Sequence, residues 1–280
     1  MNERTLIAAP ALRALLERGE PCVLLDCGFD LTDAQAGTRA HAQSHLPGAH
    51  HADLDRDLSA PQTGRNGRHP LPTREAFAVT VARWGVRPGV AVVCYDNHGG
   101  VYAARAWWML RWIGHDEVAV LDGGRAAWRA AGGTLDDVAP STHDDASPYP
   151  LSARTMPAIG ADELQRRLGG VTIIDARAAE RFRGEVEPLD PVAGHIPGAR
   201  NRFHKENLAA DGRFKPADDL RAAFAAYGDP ATCVHQCGSG VTACHNLLAM
   251  EHAGLAGSAL YPGSWSEWCA DPSRPVARGA

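Results

Sequence analysis

The chain has 280 residues, 28 Lys and Arg against 33 Asp and Glu, a net charge of −5 and 45% hydrophobic residues. That balance gives no reason to expect a nucleic acid or an anionic membrane as partner, and it leaves ample apolar material for a core. No apolar run approaches the ~20 residues that span a bilayer, and the opening "MNERTLIAAPALRALLERGE" is too charged for a secretory signal. With seven scattered cysteines, a cytoplasmic protein with reduced thiols is expected.

In chain order, "CVLLDC" (22–27) reads as the first clear strand, followed by a helical pattern in "TREAFAVTVARWG" (73–85). A second strand, "VAVVCYD" (90–96), leads into the helix "VYAARAWWMLRWIGH" (101–115), whose "WWMLRW" cluster has the spacing of core packing. "VAVLDG" (118–123) is a third strand. Short apolar strands separated by helices predict an α/β fold with a mainly parallel sheet flanked by helices. The segment 134–157, rich in Pro, Ser, Thr and Asp, lacks periodicity and reads as a linker.

The second half repeats the scheme. Strands are expected at "VTIIDAR" (171–177), "ATCVHQC" (231–237) and "SALYPG" (258–263), with helices near 161–169, 217–227 and 241–253. "HLPGAH" at 45–50 returns as "HIPGAR" at 195–200, and "LDGGRAAW" as "YPGSWSEW". Words repeated in order at a domain-sized period indicate a duplicated domain. The expected division is a first copy over 1–135, a linker over 136–157 and a second copy over 158–280. His45 and His195 open the repeated word in both copies, so they are expected to hold the fold.

Aligning the copies sets Cys237 opposite Asp96, at the same strand-to-helix junction. Only the second copy can do thiol chemistry there, so the first is expected to be non-catalytic. "CGSGVT" curls up to six backbone N–H groups around one point, and the helix beginning near Val241 adds the positive end of its dipole. Such surroundings favour a thiolate. A cysteine beside a strand is ordinarily a small apolar core residue, as expected for Cys22, Cys27, Cys94, Cys233 and Cys269. The flanking glycines and the following helix set Cys237 apart. A cysteine phosphatase would need an arginine at position 243, where this chain has Ala243.

Taken together, "HIPGA", "CGSGVTA" and "GSWSEW" resemble the two-domain rhodanese family of sulfurtransferases, over about residues 5 to 275. The resemblance implies two tandem rhodanese-like domains and a catalytic Cys237 that takes sulfur from a small-molecule donor as a persulfide. A thiol, thioredoxin or cyanide then accepts it. Gly238, Gly240, Val241 and Thr242 would line the substrate with backbone amides. The loop is similar to that of the branch acting on 3-mercaptopyruvate, whereas thiosulfate enzymes typically carry basic residues after the cysteine. Thiosulfate sulfurtransferase is the alternative, and a non-catalytic persulfide carrier a third reading.

By the same resemblance Arg181 would bind the donor's anionic end and Ser239 would pair with a histidine and an aspartate, pointing to His69 in "GRHPLP" and Asp55 in "HADLD". A solvated surface role is the plain alternative for Arg181 and His69. The branch usually carries a second arginine in an "EPR" word. Here "EPLD" puts Leu189 or Asp190 there, and Arg200 and Arg202 are candidates to supply the missing charge. Neither a cofactor nor a metal is expected, since the spacing of Cys233, His235, Cys244 and His245 suits no ligand set.

Overall fold

The computed structural model describes residues 4–153 and 156–280. The described residues form two compact units, one of 4–59, 72–153 and 210–214, the other of 60–71, 156–209 and 215–280. Residues 154 and 155 of the expected linker lie outside the described residues.

The first unit holds strands β1 (Leu6–Ile7), β2 (Cys22–Asp26), β3 (His50–His51), β4 (Ala91–Tyr95) and β5 (Val118–Leu121), in the order β1-β5-β4-β2-β3 with every pairing parallel. Helices α1 (Ala9–Glu17), α2 (Ala36–Gln43), α3 (Arg74–Arg83), α4 (Ala103–Trp112) and α5 (Gly124–Ala130) alternate with them. β4 is buried at every residue, as a central parallel strand covered on both faces must be. Its Val93 and Tyr95 pack with Ile7, Leu12, Leu24 and Leu121 into one core. Trp107 and Trp108 of α4 are buried, and the Trp107 indole N–H donates to the Arg4 carbonyl at 2.9 Å.

The second unit repeats this layout with β6 (Thr172–Asp175), β7 (Arg200–Asn201), β8 (Cys233–Gln236) and β9 (Ala259–Leu260) in the order β7-β6-β8-β9, again parallel. A parallel bridge between Ala158 and Leu260 takes the place that β1 holds in the first sheet. The helices are α6 (Ala161–Arg166), α7 (Ala179–Phe182), α8 (Ala217–Phe224), α9 (Thr242–His252) and α10 (Ser264–Trp268). Ile173, Val234, Tyr261, Trp265 and Trp268 form its core. β9 is shorter than "SALYPG" suggests. After Tyr261 N–H donates to the His235 carbonyl at 2.9 Å, Pro262 has no N–H with which to continue the ladder.

Each "H-[LI]-P-G-A" histidine closes its copy in the same manner. His45 exchanges both backbone hydrogen bonds with Asp136, and His195 does so with Ala277. The rings donate locally as well, His45 Nδ1–H to the His41 carbonyl at 2.7 Å and His195 Nδ1–H to the Phe182 carbonyl at 2.8 Å. These contacts tie the end of each copy to its body.

Two buried histidines of the second unit make its stability fall in acid. Burial pushes the His204 pKa from 6.5 down to about 4 and that of His235 from 6.5 down to about 3. The folded form keeps both rings neutral while the unfolded chain protonates below pH 6.5, so their contribution is complete above 6.5 and is lost as pH falls towards 4 and 3. The melting temperature should therefore drop across that window. His204→Gln should drop less steeply between pH 6.5 and 4, and an identical slope would refute the assignment.

Candidate active site

β8 ends at Gln236 and α9 begins at Thr242, so the five residues 237–241 make the whole turn. Gly240 has φ +78°, and a Cβ on it would stand 2.3 Å from the Pro262 carbonyl oxygen, so only glycine fits. In this turn the Gly240 N–H donates to Cys237 Sγ at 3.1 Å, and the thiol is 2% exposed. Of the amides expected to surround the sulfur, Cys237's own points elsewhere, to Ser264 Oγ at 3.1 Å. The first amides of α10 hold the loop from outside. Trp265 N–H donates to the Cys237 carbonyl at 3.0 Å and Ser266 N–H to that of Gly238 at 2.9 Å, which satisfies orphan donors of the helix start.

The first unit shows what the corresponding turn does around a carboxylate. The Asp96 carboxylate accepts N–H bonds from His98, Gly100, Tyr102 and Ala103 at 2.7 to 2.9 Å. Its cradle is filled by its own side chain. At the equivalent point of the following turn the first copy has Gly124 at φ +55° and the second has Ser264 at φ +53°. Ser264 is the one non-glycine residue with positive φ among the described residues. A left-handed serine costs about 1–2 kcal/mol relative to a right-handed one, but its hydroxyl accepts the Cys237 N–H and donates to the Tyr261 carbonyl at 2.9 Å. Sequence reasoning missed Ser264. Its position opposite Gly124 in the repeated "LDGGRAAW" and "YPGSWSEW" words was the available signal.

Ser239 Oγ lies 2.7 Å from His69 Nδ1, and both side chains are buried. His69 therefore sits with the second unit, in the segment 60–71, and not on the surface. Asp55 belongs to the first unit, where its N–H donates to Asp53 Oδ1 at 3.0 Å. Burial, with the neighbouring Asp53 charge, raises its carboxyl above the ordinary range.

Arg181, at the end of α7, faces the loop: a Cβ built on Gly238 would lie 3.5 Å from its Nη1. It is tied by Glu187 at 2.6 Å and reaches Asp190 at 3.4 Å. Behind it, Arg177 grips Asp175 at 2.7 Å and Glu187 at 3.4 Å, with side chains that are almost wholly buried. Arg183 pairs with Glu185 on the exposed surface at 2.7 Å. Neither candidate for the missing arginine faces this place. Arg200 donates to the Ala226 carbonyl and stacks over Tyr227, while Arg202 donates to Asn207 and stacks over Phe224.

The other arginine beside Gly238 is Arg68, which sequence reasoning overlooked although it precedes His69. Arg68 forms an ion pair with Asp190, and the Gly238 Cβ would stand 2.8 Å from its Nη2. Gly67 makes this approach possible. At φ +83°, a Cβ there would be 2.8 Å from the Gly263 carbonyl.

The remaining thiols are structural in character. Burial pushes Cys22 up to about 12, Cys233 and Cys269 up to about 11, and Cys27 well above its ordinary value. None of the seven cysteines is joined in a disulfide. His235 Nε2 meets Met250 Sδ at 3.1 Å and His245 Nδ1 meets the Asn207 amide at 3.1 Å. Among the described residues no cluster of three or more His, Cys, Asp or Glu side chains could hold a metal ion.

Residues 8–131 and 160–271 each match the Rhodanese-like domain. A Pseudomonas aeruginosa protein assigned as a 3-mercaptopyruvate sulfurtransferase is 50% identical over the full length of both chains. One from Mycobacterium tuberculosis assigned as a thiosulfate sulfurtransferase is 42% identical over 99% of this chain and 98% of its own. The solved structure of 3-mercaptopyruvate sulfurtransferase from Leishmania major superposes with a TM-score of 0.84 at 31% identity, covering 96% of this chain and 75% of that one.

The left-handed backbone at 264 can be tested apart from any activity. Ser264→Gly and Ser264→Ala both lose the hydroxyl, but only alanine keeps the conformational penalty. The alanine variant should be less stable by about 1 kcal/mol in chemical denaturation. Equal stabilities would mean that the turn does not demand this conformation.

Proposed function

The chain belongs to the rhodanese family, and we propose that it is a sulfurtransferase preferring 3-mercaptopyruvate over thiosulfate as donor, with Cys237 as the sulfur carrier. The observation that carries the reading is the Ser239–His69 contact of 2.7 Å on the same five-residue turn as a thiol that accepts the Gly240 N–H. The thiol and the hydroxyl that meets His69 thus share one turn.

In the first half-reaction Cys237 Sγ attacks the donor's sulfur and an S–S bond forms. The donor's C–S bond breaks, and its electrons leave with the methylene carbon as the enolate of pyruvate. That carbon must gain the proton that the donor's thiol gives up, which the Ser239 hydroxyl can relay with His69 as its partner. Asp55 is proposed as the carboxylate partner of His69 on the resemblance alone. The products are pyruvate and a Cys237 persulfide, whose negative charge the turn amides of Gly238, Gly240, Val241 and Thr242 would stabilise. A thiol, thioredoxin or cyanide then takes the outer sulfur and restores the thiolate.

Thiosulfate needs no such proton, because sulfite departs with the electron pair of the S–S bond. The Ser239–His69 pair would serve nothing there, which favours the keto acid. A carrier loaded only by a partner protein would likewise have no use for it. Seven cysteines free of disulfides are in keeping with a reducing compartment such as the cytoplasm. No helix among the described residues is long and apolar enough to cross a membrane.

Side-by-side turnover should give a higher kcat/KM with 3-mercaptopyruvate than with thiosulfate. Intact mass after donor treatment should show one added sulfur atom, absent in Cys237→Ser. Ser239→Ala and His69→Ala should lower mercaptopyruvate turnover by about 100-fold or more while changing thiosulfate turnover little. Equal losses with both donors would remove the proton relay from the mechanism. Sulfur loading on Cys237→Ser would move the carrier to another thiol.

A further inference from the structure

Three cations and three anions alternate beside the loop in an unbroken ladder: Asp175, Arg177, Glu187, Arg181, Asp190 and Arg68. The ladder is neutral as a whole, and its last two cations are those that face Gly238. Asp190 lies between them with its side chain 3% exposed, one carboxylate oxygen on Arg68 and the other on Arg181. The two guanidinium groups therefore already hold a carboxylate in the arrangement that suits a planar anion.

We propose that Arg68 is the second arm of the donor clamp, and that Asp190 is an internal carboxylate whose place the donor's own carboxylate takes one for one. The inference rests on the sulfurtransferase reading above and names the residues that set its donor choice.

Four features support it. Arg68 and Arg181 stand nearer than any other guanidinium to Gly238, which directly follows the reacting cysteine. The Arg68 Nε–H is buried without an acceptor among the described residues, so a donor hydrogen remains to be satisfied there. The segment bearing Arg68 is held by its backbone, its N–H donating to Ser266 Oγ at 3.1 Å and its carbonyl accepting from Gln62 at 2.8 Å. The side chain is thus anchored independently of the ion pair it makes. Asp190 is held differently, on the irregular stretch after α7, where its N–H reaches Glu187 Oε1 at 3.3 Å.

The exchange also sorts donors by charge. A monoanionic keto acid replacing Asp190 between the guanidiniums leaves the clamp's charge balance unchanged. A dianion in the same place brings one negative charge more than the two arginines were balanced for, with Glu187 still bound to Arg181. The absence of a side chain at Gly238 fits this account. A basic residue there would meet Arg68, which delivers the positive charge from a different segment.

The test is donor binding to full-length Cys237→Ser protein, which cannot form a persulfide, by calorimetry with 3-mercaptopyruvate and thiosulfate. Arg68→Ala in that background should weaken 3-mercaptopyruvate binding by about 10- to 100-fold, the loss of one charge-assisted pair. Asp190→Asn, which keeps the shape and removes one charge, should tighten thiosulfate more than 3-mercaptopyruvate and move the ratio of the two dissociation constants by about tenfold. A merely structural role for either residue would not move that ratio. If Arg68→Ala melts too low to assay, Arg68→Lys carries the test, since it keeps the charge and loses the fork. The proposal is overturned if the Arg68 variant binds both donors as its parent does, if Asp190→Asn leaves the ratio unchanged, or if neither donor binds at all. Turnover by the unmodified protein separates the two readings. Donor binding that obeys these rules without release of pyruvate or sulfite would leave the clamp standing and remove the sulfur transfer.

Discussion

A strand that turns at once into a helix leaves several backbone amides pointing at one place, and those amides need a partner. That requirement organises both halves of this protein. The first half meets it with the Asp96 carboxylate, which takes four N–H groups for itself. The second half puts a sulfur there and keeps a shorter turn, braced from outside by Ser264 and the amides of α10. One copy is closed by its own chemistry, and the other is left able to receive charge. The two turns differ in length, in the side chain at aligned positions 96 and 237, and in the residue at 124 and 264 that follows them.

The buried charges follow the same economy of partners. Arg177 and Asp175 are almost wholly out of water, and removing either alone would strand the other at a cost of about 3–5 kcal/mol. Their value is positional. Arg177 donates to the Gly194 carbonyl at 2.8 Å and lies over the Trp265 ring, so it joins the end of β6, the stretch before His195 and α10. Arg181 and Arg68 extend that row to the loop, and side-chain exposure rises along it, from 1% at Arg177 to 19% at Arg181 and 24% at Arg68.

Much of this was legible in the sequence, for identifiable reasons. The strands are short apolar runs with β-branched residues, the helices have the 3.6-residue period, and the repeated words reveal the duplication without any structure. Cys237 stands out because its glycines are contiguous with it. Ser239 and His69 could be paired only through resemblance, since 170 positions separate residues whose side chains meet. Arg68, Asp190 and Ser264 were not found, because nothing local marks them. Arg68 looks like any exposed arginine in a Gly-rich stretch, and "EPLD" looks like a loss of charge until Asp190 is seen gripping an arginine from elsewhere. Arg200 and Arg202 were the nearer guesses in sequence and are occupied by aromatic rings in the fold.

The residues 60–71 belong to the second compact unit although they precede most of the first in the chain, and 210–214 belong to the first although they come after much of the second. The boundary between the halves is therefore not a cut in the sequence. During synthesis His69 and Arg68 leave the ribosome well before Ser239 and Asp190, the residues they meet in the fold. An excised polypeptide running from 156 to the end would carry the cysteine and its turn but neither of those side chains. Gene dissection at the linker would then cut the second compact unit in two.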